Sequence, residues 1–334
     1  MPKPKTTVLL TREMQAKVFS EHHIAHLNEL VGLAPAERDE ISPEWQQAAM
    51  KNAEIIITGW GTEPISDAML DAAPDVRLMC HSAGSIKHLL SDTFAARGIR
   101  VTSAAPALAV GVAEFAFGLM LVSMKAAWAC VTATKEGTWD REPVMDWICE
   151  PYGATAGIIA ASNVGRELIR LCKTLSLKAI LLHDPFVSNE EAARLGVELV
   201  PLDELMRRAD VVHLCAPNVP ATRHMINAEM LALLRDKAIF INTSRGALVD
   251  EAALIAELEN ERIFACLDVT DPEPPEPGSP LYTLPNCILT PHIAGAVKQN
   301  IRRQGDSVVE QIEAFVTGNP MPCEVPLEKL GILA

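Results

Sequence analysis

Short, nearly unbroken apolar runs alternate with longer stretches in which apolar residues recur every three or four positions, and this alternation continues through most of the chain. From Thr7 the order is V-L-L, a helical pattern over 14–30, I-I-I-T, a helical pattern over 65–72, and then V-R-L-M-C. After Gly153 the order resumes with a strand, tight turn and helix over 153–175, K-A-I-L-L-H, a short helix over 203–208, V-V-H-L, and apolar runs over 239–241, 263–269 and 287–289. A run that is apolar at every position suits a strand covered on both faces, as in a parallel sheet with helical crossovers. The pattern therefore predicts an α/β protein on parallel sheets. At 334 residues the chain exceeds one ordinary core, so two domains are expected.

Two segments depart from the alternation. Residues 106–124 form an almost continuously apolar helical stretch, but only ten residues separate Glu114 from Lys125, too few for a membrane span, so a buried helix is expected. Residues 137–152 carry Trp139, Trp147 and two prolines with little periodicity and read as a long loop or arm. A long helix over 297–317 and a Pro-rich tail close the chain.

Composition narrows the function classes. The chain has 29 Lys plus Arg against 43 Asp plus Glu, a balance of -14, which gives no footprint for nucleic acid or an anionic membrane. An anionic substrate would need a local basic focus. Eight cysteines lie mostly inside apolar runs with no C-x-x-C pair, as in reduced intracellular cores, so neither a disulfide framework nor a metal site is expected. The N-terminal apolar segment is too short for a signal peptide, and a cytoplasmic protein is the expectation.

Three polar residues stand just beyond apolar runs in the second half: Arg245 in I-N-T-S-R-G-A-L-V-D, Glu273 in L-D-V-T-D-P-E-P and His292 in L-T-P-H-I-A-G. Parallel strands would deliver all three to one carboxyl edge, where open α/β sheets bind ligands. A guanidinium fork can hold a carboxylate and polarise the neighbouring carbonyl oxygen, while an imidazole can exchange a proton with that oxygen near neutral pH. A carboxylate beside the imidazole would orient it and favour its protonated form. Arg plus imidazolium facing a 2-oxo acid meets the needs of hydride delivery to the keto carbon. Asp250 and Glu251, which precede an apolar helical run, suit a first helical turn instead.

Upstream, A-A-S-N-V-G follows an apolar run and opens a helix, the order of a dinucleotide-binding unit whose helix start receives a pyrophosphate. Ala160 and Ser162 occupy the first two glycine positions of the usual G-x-G-x-x-G and only Gly165 remains, with Asn163 and Val164 between Ser162 and it. The Ser162 hydroxyl could donate to a phosphate. Asp184 lies 19 residues past Gly165 at the end of the next strand, where an acid would hold ribose hydroxyls, and Pro185, Phe186 and Val187 offer no cation for a 2′-phosphate. NAD is therefore expected over NADP. Gly84 and Ser85, in H-S-A-G-S after another strand, could turn backbone amides to a carboxylate.

The ordered series N-T-S-R-G-A-L-V-D, L-D-V-T-D-P-E-P and T-P-H-I-A-G resembles the D-isomer-specific 2-hydroxyacid dehydrogenase family, which includes phosphoglycerate, glyoxylate and formate dehydrogenases. The resemblance implies Arg245, Glu273 and His292 as the catalytic set, Gly84 and Ser85 with Arg245 on the substrate carboxylate, and a small 2-hydroxy or 2-oxo acid as substrate. It places Ala216, Pro217, Thr243, Ser244, Asp268 and Gly295 along the cofactor, with Asp268 on the carboxamide. It implies a discontinuous flavodoxin-like substrate domain (1–105 plus 297–334), a Rossmann NAD-binding domain (106–296), a cleft between them, and a homodimer embraced by the 137–152 arm. Leu108 stands where relatives often carry Asn, and the substrate side chain is not readable. Formate oxidation, which does not use this trio in the same proton-transfer role, is disfavoured. The altered glycine loop leaves a competing expectation, an NAD-sensing or corepressor-like scaffold without turnover.

Overall fold

Strand boundaries follow the apolar runs closely in the computed structural model, which describes residues 2–330; residues 331–334 of the expected first domain lie outside it. The chain divides into two compact units, one formed by residues up to 108 together with those from 296, the other by 109–295.

In the first unit, β1 (Lys5–Val8), β2 (Gly32–Ala34), β3 (Ile55–Thr58), β4 (Leu78–His81) and β5 (Arg100–Ser103) form a five-stranded sheet in the order β2-β1-β3-β4-β5. Every pairing is parallel. All four residues of β3 and of β4 are buried, as in strands sandwiched by helices, and both strands are apolar up to their last residues, Thr58 and His81, whose Oγ1 and Nδ1 lie 3.0 Å apart. The helix Lys298–Thr317 returns to this unit and packs Val308, Val309 and Ile312 against Val8, Ile55, Leu78 and Cys80. The tail follows it, with Val325 N donating to Val101 O at 2.8 Å. The helix expected over 14–30 is two helices, Arg12–Val18 and Glu21–Leu30. Ser20 explains the break: its hydroxyl accepts from His23 N while His23 Nδ1 accepts from Ser20 N, a reciprocal cap that starts a new helix.

In the second unit, β6 (Thr155–Ile159), β7 (Ala179–His183), β8 (Glu198–Leu199), β9 (Val211–Leu214), β10 (Ile239–Asn242), β11 (Phe264–Leu267) and β12 (Cys287–Leu289) form a seven-stranded sheet. Its order is β12-β11-β10-β9-β6-β7-β8, again parallel throughout. Both sheets wind outward in two directions from a central strand pair, and such an order opens a crevice at the carboxyl ends where the winding reverses.

The helix Ala105–Met124 is long and apolar enough by composition to cross a membrane. Its Ala113, Ala116, Met120 and Met124 instead enter the core against Ala156, Ile158 and Ile241. His213 of β9 is 1% exposed, its Nε2 lies 3.4 Å from Met120 Sδ, and desolvation pushes its pKa down to about 3. The ring is therefore a neutral core group. His81 has the same fate in the first unit, its pKa lowered to about 3 chiefly by burial.

Candidate active site

Because every strand of the second sheet runs the same way, the residues just past each strand line one edge. Along that edge stand His292 after β12, Asp268 and Glu273 after β11, Arg245 after β10, Ala216 and Pro217 after β9, the 160–165 loop after β6, and Asp184 after β7. Five strand spacings separate β12 from β7, about 24 Å at the usual spacing.

His292 Nδ1 and Glu273 Oε1 are 2.7 Å apart, and both side chains are about half exposed. This leaves Nε2 for a reacting group. His292 sits at φ 52, a left-handed conformation uncommon for a residue with a Cβ, so the loop around it must hold it there. Asp268, 1% exposed, does this with its whole functional group. Its Oδ1 accepts from Thr290 Oγ1 at 2.6 Å and from Ile293 N at 2.9 Å, its Oδ2 accepts from Ala294 N at 2.9 Å, and its backbone oxygen accepts from His292 N at 3.0 Å. Asp268, expected on the cofactor's carboxamide, thus has a loop-holding task that sequence reasoning did not foresee.

Arg245 is exposed at the end of a turn bracketed by the buried Asn242, whose Nδ2 donates to Arg245 O and whose Oδ1 accepts from Ser244 N, both at 3.0 Å. Ser244 Oγ donates to Leu214 O at 2.9 Å, tying this turn to the end of β9. Asn242 was missed; an Asn closing a strand before T-S-R-G is the available signal, since its amide can mimic a turn of backbone. Gly246, next to Arg245, lies so close to the segment bearing Glu273 that a Cβ there would overlap the carbonyl group of Thr270. Glu251 Oε2 accepts from Asp271 N at 3.3 Å and braces the same segment, while Asp250 caps the helix Glu251–Glu259.

The dinucleotide loop keeps its shape despite the lost glycines. Ala160 takes φ 78, the left-handed conformation that glycine provides without strain. Gly165 cannot change, since a Cβ would overlap Ala160 O. The Ser162 side chain caps the helix Asn163–Cys172 by accepting from Gly165 N at 3.3 Å, a role different from the expected phosphate donor, although its own hydrogen is still available. The first-turn N–H groups of Asn163 and Val164 have no helical acceptor and carry the positive end of the dipole. Asp184 Oδ2 accepts from Ala161 N and Oδ1 from Phe186 N, both at 2.8 Å, which fixes its carboxylate at the loop with lone pairs to spare. These groups fit a dinucleotide: donors for a pyrophosphate, an acceptor for ribose hydroxyls. Thr243 is buried and Ser244 half-buried beside them on the same edge, with Gly295 following the His292 loop.

Left-handed Ala costs about 1–2 kcal/mol, while glycine's extra freedom in the unfolded chain returns about 0.5–1. Ala160→Gly should therefore raise stability by roughly 0.5–1 kcal/mol; a lower urea midpoint in the variant would refute the strain.

Gly84 and Ser85 belong to the first unit, past the end of β4. Ser103 Oγ donates to Ala83 O at 3.1 Å or Gly84 O at 2.6 Å. In a trans peptide the N–H points opposite to the C=O, so with these two carbonyls turned to Ser103 the amides of Gly84 and Ser85 face away from it, two adjacent donors on one side. Leu108 packs beside them, its Cδ2 3.3 Å from where a Gly84 Cβ would be.

A cavity of about 680 Å³ lies elsewhere, among residues 148–155 with Lys178, Arg207, Arg208 and Arg235 near the opposite edge of the second sheet. It touches none of the expected site residues. Among the described residues no group of His, Cys, Asp or Glu could hold a metal ion.

A doubly wound parallel sheet with a helix start facing its carboxyl edge, and an Arg, a Glu and a His on that edge, has the form of a dinucleotide-binding α/β protein. Comparison with known proteins places it further. Residues 117–294, more than half of the chain, match the family model described as D-isomer specific 2-hydroxyacid dehydrogenase, NAD binding domain. The chain is 34% identical over 292 residues to D-3-phosphoglycerate dehydrogenase of Methanocaldococcus jannaschii, covering 85% of this chain and 55% of that protein. It is 34% identical over 264 residues to glyoxylate reductase of Korarchaeum cryptofilum, covering 78% and 79%. The chain spans about half the length of the phosphoglycerate dehydrogenases it matches. A phosphoglycerate oxidoreductase structure from Rhizobium etli shares the fold with a TM-score of 0.83 at 24% identity, covering 96% of this chain and 97% of that one. The chain belongs to the D-isomer specific 2-hydroxyacid dehydrogenases, and its second unit is their NAD-binding domain.

Proposed function

We propose that the protein is an NAD-dependent oxidoreductase interconverting a small D-2-hydroxy acid and its 2-oxo acid, and the observation that carries this reading is the 2.7 Å contact between His292 Nδ1 and Glu273 Oε1. A bound nicotinamide supplies or accepts the hydride. In the reducing direction Arg245 holds the substrate carboxylate and polarises the keto oxygen, and His292 Nε2 gives that oxygen its proton. Glu273 fixes the imidazole's orientation and balances its charge. In the oxidising direction His292 takes the hydroxyl proton. Gly84 and Ser85, in the first unit, are assigned as amide donors for a substrate carboxylate. The pyrophosphate is assigned to the start of the helix Asn163–Cys172 with Ser162 and Gly165, and the ribose hydroxyls to Asp184. A 2′-phosphate would meet the Asp184 carboxylate, and Pro185, Phe186 and Val187 after it offer no cation, so NADH is preferred over NADPH.

NADH and NADPH titrated by fluorescence quenching, followed by NADH oxidation with a panel of 2-oxo acids, test this assignment. We expect NADH to bind more tightly and at least one short 2-oxo acid to be reduced. Equal affinity for NADPH would remove Asp184 from its role, and NADH binding without turnover of any acid would favour a non-catalytic sensor.

The arm supports a homodimer. The helix Ala127–Lys135 buries no residue, and Trp139 and Tyr152 are 92% and 84% exposed, a costly apolar surface for a lone chain. Trp139→Ser should weaken the dimer in sedimentation experiments; a monomeric wild type would end this part of the proposal. All eight cysteines are unpaired, which suits the reducing cytoplasm.

A further inference from the structure

The cavity beside residues 148–155 lies wholly within the second unit, at the amino edge of its sheet. Thr155 and Ala179 in its lining are the first residues of β6 and β7, and Asp210 immediately precedes β9. The 160–165 loop and Asp184 follow the last residues of β6 and β7 instead. The length of β6 therefore separates the cavity from the dinucleotide loop by roughly 15 Å, with the sheet between them. Its volume of about 680 Å³ falls among those of small-molecule sites, about 300–1,000 Å³.

Four cations, Lys178, Arg207, Arg208 and Arg235, line it against two carboxylates, Glu150 and Asp210. Both carboxylates are already engaged. Glu150 pairs with Lys125, which is not part of the lining, and Asp210 accepts from Thr155 N at 2.8 Å and from Arg235 Nη1. Asp203, Glu198 and Glu204, the partners of Arg207 and Arg208, all stand outside the lining. Lys178 pairs with no carboxylate among the described residues. Arg207 and Arg235 each donate through Nη1 alone, so Nε and Nη2 of both remain available. A helix dipole accounts for Arg207 and Arg208, in the last turn of the helix Leu202–Arg208, but not for Lys178 and Arg235, which stand outside helices. In a chain with a balance of -14, four cations from three separate segments converge on one concavity, and such a concavity focuses anions.

We propose that this cavity is a second ligand site, which takes a small organic polyanion held by Lys178 and the free guanidinium donors of Arg207 and Arg235. Phosphate groups and clustered carboxylates share this chemistry, since a guanidinium fork receives either. The ligand is distinct from the dinucleotide and from the substrate acid, and the site stands whether or not the oxidoreductase reading holds.

The test is isothermal titration of the full chain with tripolyphosphate and with citrate at low ionic strength, each with and without saturating NADH. We expect at least one of the two to bind saturably with an affinity unchanged by NADH, and the tighter arm tells phosphate from carboxylate. Lys178→Met should weaken binding about tenfold, and Lys178→Met together with Arg207→Gln about a hundredfold, because each removes one charge-assisted hydrogen bond. Both side chains are exposed, so the fold should be kept, which circular dichroism checks. Lys51→Met, an exposed lysine of the first unit, should bind as the wild type does. Absence of saturable binding of either ion overturns the proposal. So does displacement by NADH, which would put the ion in the dinucleotide loop. Equal weakening by Lys51→Met would show only the diffuse field of surface cations, and wild-type affinity in the folded double variant would remove the cavity from the binding; either result overturns the site.

Discussion

His292→Ala is expected to lower keto-acid reduction by roughly 10² to 10⁴, equivalent to about 3–5 kcal/mol of transition-state stabilisation, while NADH still binds. The magnitude follows from the geometry. Glu273 engages Nδ1, so the group that reaches the substrate oxygen is Nε2, and alanine removes that proton donor outright. The fold should tolerate the change, since the imidazole is about half exposed and the loop is held by Asp268 through backbone donors and Thr290 rather than through the ring. Stopped-flow reduction rates with parallel NADH titration check this. A folded variant that turns over as fast as the wild type would remove His292 from the mechanism.

Gly246→Ala is expected to have the next largest effect, and it acts on geometry rather than chemistry. A Cβ at this position would overlap the carbonyl group of Thr270, which is backbone and cannot rotate aside. Either the Arg245 turn or the Glu273 segment must shift. Overpacking of this kind costs about 1–3 kcal/mol of stability, and a displacement near 1 Å between groups that act on one substrate costs on the order of a hundredfold in rate. We expect kcat/KM to fall by about that factor and the urea midpoint to drop, with NADH affinity less affected because the 160–165 loop follows β6, two strands away from the β10 end that carries Arg245. Near-normal kinetics would show that the two segments move independently.

Much of the architecture was legible in the chain itself. Strands in a helix-covered parallel sheet are mostly apolar, so β3, β4, β9 and β10 appear as short apolar runs interrupted or ended only by Thr58, His81, His213 and Asn242, and the polar residue beyond each run falls at the carboxyl edge. Arg245, Glu273, His292 and Asp184 could be picked out on that ground because strand direction alone decides their edge. The buried helix Ala105–Met124 and the placement of Asp250 and Glu251 at a helix start were likewise local matters of length and charge, whereas the cap that Ser162 makes was not foreseen. What holds those residues in place was not local. Asp268 reaches across 22 to 26 residues to the His292 loop, and Ser103 across about 20 to turn the Gly84 and Ser85 amides outward. Such bonds depend on strands being neighbours, and neighbour order is set by the winding of the sheet rather than by any spacing in the sequence. Ala160 makes the same point from the backbone side: the sequence shows only an alanine at the first glycine position of the usual G-x-G-x-x-G pattern. That it still adopts φ 78 was decided by Gly165 packing onto its carbonyl and Asp184 holding the next amide, tertiary contacts that together outweigh the residue's own preference.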